Sequence, residues 1–428
     1  MSDNFKALVV NQEGENFTRE VKSIDKSFLK HGDVLVKVDY SDLNYKDALI
    51  LNNGAKLVKE FPHIPGIDFS GTVLESDNSK FVKGDEVILT GWRKTMSDNF
   101  KALIVNQEGE NFTREVKSIN KSFLKHGDVL VKVDYSDLNY KDALILNNGA
   151  KLVKEFPHIP GIDFSGTVLE SDNSKFVKGD EVILTGWRVG EIYFGGYSQI
   201  AKVNGDFLVK KPNDITSKQA MILGTAGLTA LLCSFAIKAR EEILLGEKVK
   251  DVLVTGASGG VGSIAVMILN KFGYDVTAVT GKSENEEYLR SIGAKNIINK
   301  ADLDKDARPL DKGLWDGVVD TVGGKILANA LAQTRDNGIV AACGNASDYK
   351  LNTTVMPFII RGVKLWGINS VTASIKRREF VWNEVKSLID FEQLEKSIKT
   401  VSLEDLIDIY PKMLKGETSG RYLVDLNK

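Results

Sequence analysis

The sequence predicts an α/β protein that combines a small β-barrel domain with a doubly wound parallel sheet. Short strand-like runs, punctuated by Gly, Asn, Asp and Pro, occupy residues 96–212, which is the pattern of a β-barrel or β-roll. From residue 251 onward, strands alternate with helices, as they do in a parallel sheet covered on both faces. A glycine-rich turn at residues 256–262 joins the first strand of this second region to its first helix.

The first part of the chain contains a long, nearly exact repeat. Residues 1–93 reappear as residues 96–188 and differ only where Val9 corresponds to Ile104 and Asp25 to Asn120. Solenoid repeats are shorter, roughly 20–50 residues, so this pattern indicates a recent tandem duplication or an error in the assembly of the gene. Only the second copy continues directly into further strand-like runs, so we expect residues 96–428 to be the functional unit. Three states remain open for the first copy: poorly ordered, packed on the second copy, or exchanged with another subunit.

The predicted elements follow hydrophobic periodicity and capping signals. The strands of the β-rich region are Lys101–Val105, Asp128–Val133, Gly166–Leu169, Glu181–Thr185, Tyr197–Val203 and Asp206–Lys210. A capping box at Thr216–Gln219 opens a helix over Ala220–Ala239. The later strands are Val252–Thr255, Asp275–Thr280, Asn296–Ile298, Gly317–Asp320, Gly338–Ala342, Lys364–Ile368 and Arg421–Leu426. The later helices are Ser263–Phe272, a helix from a second capping box at Ser283–Glu286 to Ile292, Lys325–Gln333, Lys376–Ile389 and Glu404–Leu414.

The composition is that of a globular protein and excludes several functional classes. The 428 residues include 56 basic and 58 acidic side chains, and this balance gives no electrostatic reason to expect nucleic acid or an anionic membrane as a partner. Two cysteines, Cys233 and Cys343, cannot form a disulfide framework, and we interpret both as core thiols. We find neither a signal peptide nor an apolar run of membrane-spanning length. We therefore expect a cytoplasmic protein.

The strongest chemical signal is the segment Val252–Gly262, a hydrophobic strand followed by a glycine-rich turn and a helix. We align Ala257, Gly259 and Gly262 with the three small residues of a dinucleotide-binding turn. The first allows the tight turn, the second lets the backbone approach a pyrophosphate, and the third lets the helix pack on the strand. The helix N-terminus then faces the phosphates. The alternative is a glycine-rich turn without a ligand.

The end of the next strand favours NADPH over NADH. An NAD site usually carries Asp or Glu there, to bind the ribose 2′-hydroxyl, whereas this strand ends in Ala278–Lys282 without an acid. A cation and hydroxyl groups at this place suit a 2′-phosphate. The alternative is that Lys282 is a solvated surface residue and that Ser283 only caps a helix.

The sequence offers few possible metal ligands. It also contains a polar cluster that could form a catalytic site. Residues 96–428 contain two histidines, His126 and His158, and lack the spacings of familiar zinc sites, so we expect no metal. In the cluster Asn139–Asp142, the Tyr, Lys and Asp side chains could supply a proton donor, a cation and an anchor, or simply form a polar loop. The small-residue patch Gly224–Gly227 either admits a flat ring or permits close packing.

Together, these segments resemble the medium-chain dehydrogenase/reductase superfamily, on its zinc-free quinone-oxidoreductase branch and within the YhdH/YhfP group, which includes acrylyl-CoA reductase. The resemblance covers residues 96–428. In zinc-dependent relatives a His-Glu pair follows the Pro-Gly region, and here Ile162 and Asp163 stand there. The matching segments are Leu138–Ala143, Pro160–Gly166, Leu184–Trp187, Gly224–Ala230, Thr255–Gly262, Asp320–Gly323 and Thr353–Phe358.

The resemblance implies a GroES-like β-barrel domain and a Rossmann domain with NADPH in the cleft between them. The implied domains are residues 1–95 as a duplicated partial GroES-like half-domain, 96–215 as the GroES-like catalytic domain completed by about 370–428, and 216–369 as the Rossmann domain. Tyr140 would lie beside the nicotinamide and act as the catalytic residue, and the Leu365 backbone would approach the same ring. The implied phosphate-binding residues are Ser258, Gly259, Gly260, Val261 and Gly262 for the pyrophosphate, and Thr280, Gly281 and Lys282 for the 2′-phosphate. Thr225 and Arg421 complete the implied cofactor site, with Arg421 meeting an anionic group.

The implied reaction is hydride transfer from NADPH to the β-carbon of an activated double bond, with acrylyl-CoA reduced to propionyl-CoA. Tyr140 either orients the substrate or protonates the resulting enolate. An alternative is an NADPH:quinone oxidoreductase, which would differ only in its substrate pocket. A third possibility, from another class, is an NADPH-binding sensor or structural protein without turnover. The family analogy also suggests a homodimer formed through the Rossmann sheet.

Overall fold

The computed structural model describes residues 4–13, 16–29, 32–53, 58, 61–78, 80–90, 99–418 and 420–428. The chain divides into two compact units, Met1–Ser97 and Asp98–Lys428. Residues 91–98, which contain the predicted boundary at residue 95, lie outside the described residues. The finer division of the second unit at residues 215 and 369 stays a prediction.

The first unit contains two antiparallel sheets and one described helix. Its two-stranded sheet pairs β1 with β2, and its three-stranded sheet has the order β3-β4-β5. The elements are β1 (Asn4–Glu13), β2 (Asn16–Asp25), β3 (Val34–Tyr40), α1 (Tyr45–Asn53), β4 (Asp68–Ser76) and β5 (Glu86–Thr90).

The second unit begins with a β-domain that contains a seven-stranded sheet. Its strands run in the order β12-β10-β9-β8-β20-β19, with β11 paired to β8, and the last two strands, β19 (Ile398–Val401) and β20 (Arg421–Asp425), come from much later in the chain. A separate hairpin joins β6 to β7. The elements are β6 (Asn99–Glu108), β7 (Asn111–Asn120), β8 (Val129–Asp137), α2 (Tyr140–Asn148), β9 (Asp163–Ser171), β10 (Glu181–Thr185), β11 (Ile200–Val203) and β12 (Leu208–Lys210).

The parallel sheet follows, and its topology is that of a doubly wound nucleotide-binding fold. Six parallel strands lie in the order β15-β14-β13-β16-β17-β18, with the first strand of the region at the point where the order reverses. Ligands bind at such a switch point, beyond the carboxyl ends of the strands. The elements are α3 (Ser217–Ile243), β13 (Asp251–Val254), α4 (Gly260–Lys271), β14 (Asp275–Thr280), α5 (Glu286–Ser291), β15 (Ala294–Asn299), β16 (Trp315–Asp320), α6 (Gly324–Ala332), β17 (Thr334–Ala342), α7 (Met356–Arg361) and β18 (Lys364–Gly367).

The last segment returns to the β-domain. Its final strand pairs antiparallel with the end of β8, placing Val424 opposite Ser136 and Leu423 opposite Asp137. The predicted strand at the tail is therefore confirmed, and it completes the β-domain sheet. The elements are α8 (Ile375–Asn383), α9 (Val385–Leu388), α10 (Phe391–Glu395), β19 (Ile398–Val401), α11 (Leu406–Leu414) and β20 (Arg421–Asp425).

Two local predictions differ from the structure. The predicted helix at 376–389 is divided into α8 and α9. The capping box at Ser283–Glu286 was wrong, because Ser283–Asn285 form a 3₁₀ turn and α5 begins at Glu286 with Asn285 as its N-cap. The capping box at Thr216–Gln219 is confirmed by reciprocal hydrogen bonds of 3.1 and 3.0 Å between the two residues.

Helix α3 is the central helix of the core, and it corrects one expectation. Among the described residues, it is the helix that is long and apolar enough, by length and composition, to cross a membrane. The expectation that no apolar run reaches this length was therefore wrong. The apolar window of α3 is 89% buried inside the protein, where it packs between the β-domain and the parallel sheet.

The two copies of the repeat form the same strands but bury them differently. Ile183 in β10 is 1% exposed and lies in a core cluster with residues of α3, whereas its counterpart Ile88 in β5 is 78% exposed. Val133 is buried in the same way, and its counterpart Val38 is exposed. The burial of these side chains therefore depends on segments that follow only the second copy.

We expect Ile183→Ala to destabilise the second unit by about 2–5 kcal/mol, because it leaves a cavity in a packed core. The same change at Ile88 removes an exposed side chain and should alter the free energy of unfolding by less than about 0.5 kcal/mol. Urea denaturation of the full chain, followed by circular dichroism, measures both. Equal effects of the two substitutions would contradict the burial difference.

Candidate active site

The glycine-rich turn between β13 and α4 has the geometry of a phosphate-binding turn. Gly256 has a φ of +59°, and a Cβ at this position would overlap the Thr321 hydroxyl, so the tight turn depends on Gly256. The sequence motif predicts this role for Ala257, and that prediction is wrong. Ala257 is buried and its N–H donates to the Val279 carbonyl at 3.0 Å.

The other two glycines allow the helix to begin close to the strand. A Cβ on Gly262 would overlap the Gly256 carbonyl, so a larger residue would push α4 away from the turn. Gly259 is the N-cap of α4 and contributes no capping side chain. The first N–H groups of α4 therefore remain available to an anion.

A cavity of 230 Å³ opens at this helix N-terminus. Its residues come from the glycine-rich turn, the segment around α5, strand β19 with the residues before it, and the start of β20. They are Ser258, Gly259, Gly260, Ser263, Asn285, Tyr288, Lys396, Ser397, Ile398, Lys399, Gly420 and Arg421. Four of the predicted cofactor residues are thus brought together, namely Ser258, Gly259, Gly260 and Arg421.

Arg421 places a buried cation beside the turn. Its side chain is 10% exposed, and a Cβ on Gly260 would lie 2.7 Å from its Nη1. Nη2 donates to the Asp137 carboxyl group and, at 3.0 Å, to the Leu223 carbonyl. The buried Nε has no hydrogen-bond partner among the described residues. A guanidinium with an unused N–H next to a helix N-terminus is suited to bind an anion.

The structure places the predicted 2′-phosphate residues differently. The Lys282 ammonium donates to the carbonyls of Gly416, at 2.9 Å, and Thr418, at 3.4 Å, so it ties down the segment before β20. The Thr280 hydroxyl accepts from the Lys282 N–H at 3.1 Å and lies 3.3 Å from the Ser258 hydroxyl. A Cβ on Gly281 would lie 3.7 Å from the Lys300 Cβ, which is an ordinary van der Waals contact. None of these three residues lines the cavity.

Two lysines that the sequence analysis missed do line the cavity. Lys396 follows α10 and Lys399 lies in β19. The Lys399 ammonium lies 5.4 Å from the centre of the Tyr422 ring, and the Lys396 ammonium donates to Gln393 at 2.8 Å. No motif marks them, because they reach the site only through the return of the chain to the β-domain.

Tyr140 is the first residue of α2 and is 57% exposed. The helix is fixed beneath it, because Ala143, Ile145 and Leu146 are completely buried. Lys141 is committed to Glu191, with an ion pair of 2.8 Å. Within the predicted cluster 139–142, Tyr140 is therefore the side chain most open to a substrate, and it does not line the cavity at the glycine-rich turn.

Three buried aspartates, Asp137, Asp142 and Asp163, surround Asn139 at the start of α2, and we call them the carboxyl cluster. Burial, together with the charge of Asp163, raises the pKa of Asp137 well above its usual value. The same two causes raise the pKa of Asp142 to about 8. Asn139 donates from Nδ2 to both Asp137 and Asp163, the latter at 3.0 Å.

The remaining predicted residues have structural partners. The N–H and hydroxyl of Thr225 both donate to Asp163 Oδ2, at 2.8 and 2.6 Å, just after the left-handed Gly224 that kinks α3. Val261 packs against the core from the first turn of α4. Leu365 lies in β18 at the edge of the sheet, opposite Val340. Cys233 is a core thiol whose pKa is raised by hydrogen bonding with Cys343 and by burial.

Metal binding has no obvious place in the described part of the chain. Within those residues, His, Cys, Asp and Glu side chains form no group of three or more arranged to hold a metal ion. His158 is buried at the edge of the Phe194 ring, and burial lowers its pKa to about 4.

Comparison with protein families matches both parts of the chain. The alcohol dehydrogenase GroES-like domain matches residues 30–110 and again 125–213, in agreement with the repeat. The family described as zinc-binding dehydrogenase matches residues 260–391.

Individual relatives match about three quarters of this chain and nearly all of their own length. Acrylyl-CoA reductase AcuI of Ruegeria pomeroyi is 44% identical over 331 residues, which is 77% of this chain and 99% of that protein. YhfP of Bacillus subtilis, a quinone oxidoreductase by name, is 41% identical over 333 residues, 77% of this chain and all of that protein.

Solved structures show the same fold. The yhdH oxidoreductase from Salmonella enterica, in complex with NADP, superimposes with a TM-score of 0.73 at 44% identity and covers 76% of this chain and 99% of that one. The yhfP protein of Bacillus subtilis, with NAD bound, has a TM-score of 0.72 at 40% identity and covers 76% of this chain and 99% of that one. The chain therefore belongs to the medium-chain dehydrogenase/reductase superfamily, with a GroES-like domain and a Rossmann-type parallel sheet, and its near relatives in that superfamily are AcuI, YhdH and YhfP.

Proposed function

We propose that this chain is an NADPH-dependent oxidoreductase that reduces an activated C=C bond, and that its reaction is the conversion of acrylyl-CoA to propionyl-CoA. The observation that carries the proposal is the cavity at the α4 N-terminus, which the buried Arg421 guanidinium lines. Relatives that are 42–44% identical along their whole length or nearly so carry the name acrylyl-CoA reductase.

The cavity fits the phosphate part of NADPH. At 230 Å³ it is smaller than a typical pocket for a whole ligand, so it would hold the pyrophosphate and not the complete dinucleotide. Ser258, Gly259 and Gly260 line the cavity at the helix N-terminus, and Arg421 supplies a cation. The Gly259 N–H already donates to the Gly256 carbonyl at 2.9 Å, so the first N–H groups of α4 are the ones open to a phosphate. No carboxylate lines the cavity among the described residues, and Lys396 and Lys399 add positive charge that suits a pyrophosphate.

We propose that the remaining predicted cofactor residues support this site from outside the cavity. They are Thr225, Val261, Gly262, Thr280, Gly281, Lys282 and Leu365. Gly262 lets α4 pack close to the turn, and Lys282 holds the segment that precedes Arg421. Thr225 fixes the Asp163 carboxylate, whose neighbour Asp137 contacts Arg421. These contacts position the groups that meet the cofactor.

Bound NADPH would supply the hydride that adds to the β-carbon of the double bond. The protein must then stabilise the enolate oxygen and deliver a proton to the α-carbon. Tyr140 is the proposed residue, since its phenol is exposed at the start of a helix whose other face is completely buried. A rigid helix start fixes the phenol relative to a substrate in the cleft.

Two other functions remain as alternatives. An NADPH:quinone oxidoreductase would use the same cofactor site, and the likeness to YhfP favours it. An NADPH-binding protein without turnover would share the cavity but would lack a competent substrate site. The substrate distinguishes the first alternative from the proposal, and turnover distinguishes the second.

We also propose a homodimer formed through β18. This strand is the edge of the parallel sheet, so its outer backbone groups are not paired within the described sheet. Exposed apolar side chains surround it, including Ile359, Ile360 and Trp366. An exposed edge flanked by apolar residues suits an isologous contact with a second copy. We place the enzyme in the cytoplasm, consistent with its two free cysteines.

We expect NADPH oxidation, followed at the nicotinamide absorbance band, to be faster with acrylyl-CoA than with a quinone. The full chain and a chain that begins at Met96 should both be active, because the repeat adds no residue to the proposed site. NADH serves as the matched cofactor control and should be the poorer donor. Binding of NADPH without turnover by any acceptor would instead support the sensor.

Tyr140→Phe should lower kcat by about 10²-fold with acrylyl-CoA, because it removes the proposed proton donor. The repeat offers a matched control in Tyr45→Phe, which changes the same residue in a copy without an attached cofactor domain. That control should leave kcat unchanged. Full turnover and unchanged KM in Tyr140→Phe would remove Tyr140 from the mechanism.

Ile360→Asp should convert the proposed dimer to a monomer, because it buries a charge in an apolar contact. Light scattering coupled to size-exclusion chromatography measures the mass directly. Leu245→Asp, at a residue that is also exposed, is the control and should leave the mass unchanged. A wild-type chain that elutes as a monomer at micromolar concentration would contradict the dimer.

A further inference from the structure

The carboxyl cluster holds more negative charge than its surroundings can neutralise. Asp137, Asp142 and Asp163 are each at most 1% exposed. Arg421 is the cation that contacts the cluster among the described residues, and it touches only Asp137. Three ionised carboxylates beside one guanidinium would leave two buried charges uncompensated, which is too costly for a folded protein. The cluster must therefore carry protons.

The three carboxyl groups differ in the number of hydrogen bonds that one oxygen accepts. Asp163 Oδ2 accepts three of them, from the Thr225 N–H, the Thr225 hydroxyl and Asn139 Nδ2. An oxygen with three donors favours the carboxylate form. The other oxygen, Oδ1, is buried and has no partner among the described residues. It is the acceptor in the cluster that is still available to a neighbouring acid.

Asp137 is the neighbouring acid. One nitrogen, Asn139 Nδ2, donates to both carboxyl groups, so the two groups lie close together. Asp142 is held separately, since its two oxygens accept from the N–H groups of Asn139 and Ile162, each at 3.0 Å. On the far side, Asp137 is joined to Arg421, which lines the cofactor cavity.

We propose that Asp137 and Asp163 are positioning residues that share one proton, with Asp137 as its carrier, and that this pair holds Arg421 in the cofactor cavity. Through Asn139, the N-cap of α2, the same pair also fixes the start of the helix that carries Tyr140. The inference rests on the proposed function in one respect, namely that Arg421 meets the cofactor. Neither aspartate touches substrate or cofactor in this scheme.

The sign of the pH effect follows from the shared proton. The folded state binds a proton that the unfolded chain has already released at neutral pH, so stability falls as the pH rises from the usual carboxyl range toward the raised pKa. Above it, Asp137 and Asp163 repel each other, and the ionised Asp137 offsets the positive charge that Arg421 offers to a phosphate. The groups that face Asp137 are Asp163 from β9, Arg421 from β20, Asp142 from α2 and the Tyr197 hydroxyl, which donates to the Asp137 carbonyl at 3.0 Å.

An asparagine mimics a protonated aspartate, so the two positions should respond differently. At pH 7, Asp137→Asn should keep the dissociation constant of NADPH within about threefold of wild type, whereas Asp163→Asn, which removes the ionised acceptor, should raise it at least tenfold. Between pH 7 and 9.5 the wild-type constant should rise about tenfold, and that of Asp137→Asn by clearly less. Quenching of tryptophan fluorescence by added NADPH measures these constants without any turnover.

Thermal unfolding of the protein without cofactor provides an independent measurement. The melting temperature of Asp137→Asn minus that of wild type should increase as the pH rises from 6 to 9.5. The repeat supplies the control, Asp42→Asn, at the exposed counterpart of Asp137. It should follow wild type at every pH.

Two results would overturn the inference. The first is an Asp137→Asn chain that is as damaged as Asp163→Asn at pH 7, in both melting temperature and NADPH affinity, since Asp137 would then act as a charged partner of Arg421. The second is a parallel pH profile of melting temperature for Asp137→Asn and wild type. Failure of wild type to bind NADPH would contradict the proposed function instead, and the melting profiles would still decide between the two states of Asp137.

Discussion

The contact between Arg421 and Asp137 is the constraint on which the rest of the site depends. Arg421 begins the last strand, and Asp137 ends β8, almost three hundred residues earlier in the chain. A buried guanidinium and a buried carboxyl group each need the other, because either one alone would be left unsatisfied in a low-dielectric interior. The return of the tail to the β-domain is therefore required by the site as well as by the sheet edge that it covers.

The two copies of the repeat share the same strand register but differ in side-chain burial. Register therefore depends on the repeated segment itself, and burial depends on later parts of the chain. In the first unit Val34 pairs with Ser76, and in the second the corresponding Val129 pairs with Ser171, so register is a property of the repeated sequence itself. Side-chain burial, in contrast, is not a property of the repeated sequence itself. In the second unit α3 covers the face of the sheet that contains Ile183, and such packing provides most of the stability of a fold of this kind.

The sequence was sufficient where local signals and global fold agree, and insufficient where the chain returns from a distance. The alternation of strands and helices, the glycine-rich turn and the capping box at Thr216 are local features, and the structure has them. The turn residue was misplaced by one position because Ala257 and Gly256 are both small, and only the positive φ distinguishes them. Lys396 and Lys399 carry no motif, and only the topology that places β19 beside β20 could reveal them.

Lys282 illustrates how a residue can serve a ligand without facing it. Its ammonium donates hydrogen bonds to the carbonyls of Gly416 and Thr418, and Arg421 follows a few residues later in the chain. The segment before β20 is thus tied at one end to the second strand of the parallel sheet, and at the other end to the carboxyl cluster of the β-domain. The cavity is lined by the glycine-rich turn on one side and by β19 and β20 on the other. It therefore forms only when the segment that contains β19 and β20 has packed against the β-domain. Cofactor affinity should therefore report the completion of the fold as directly as it reports the chemistry of the glycine-rich turn.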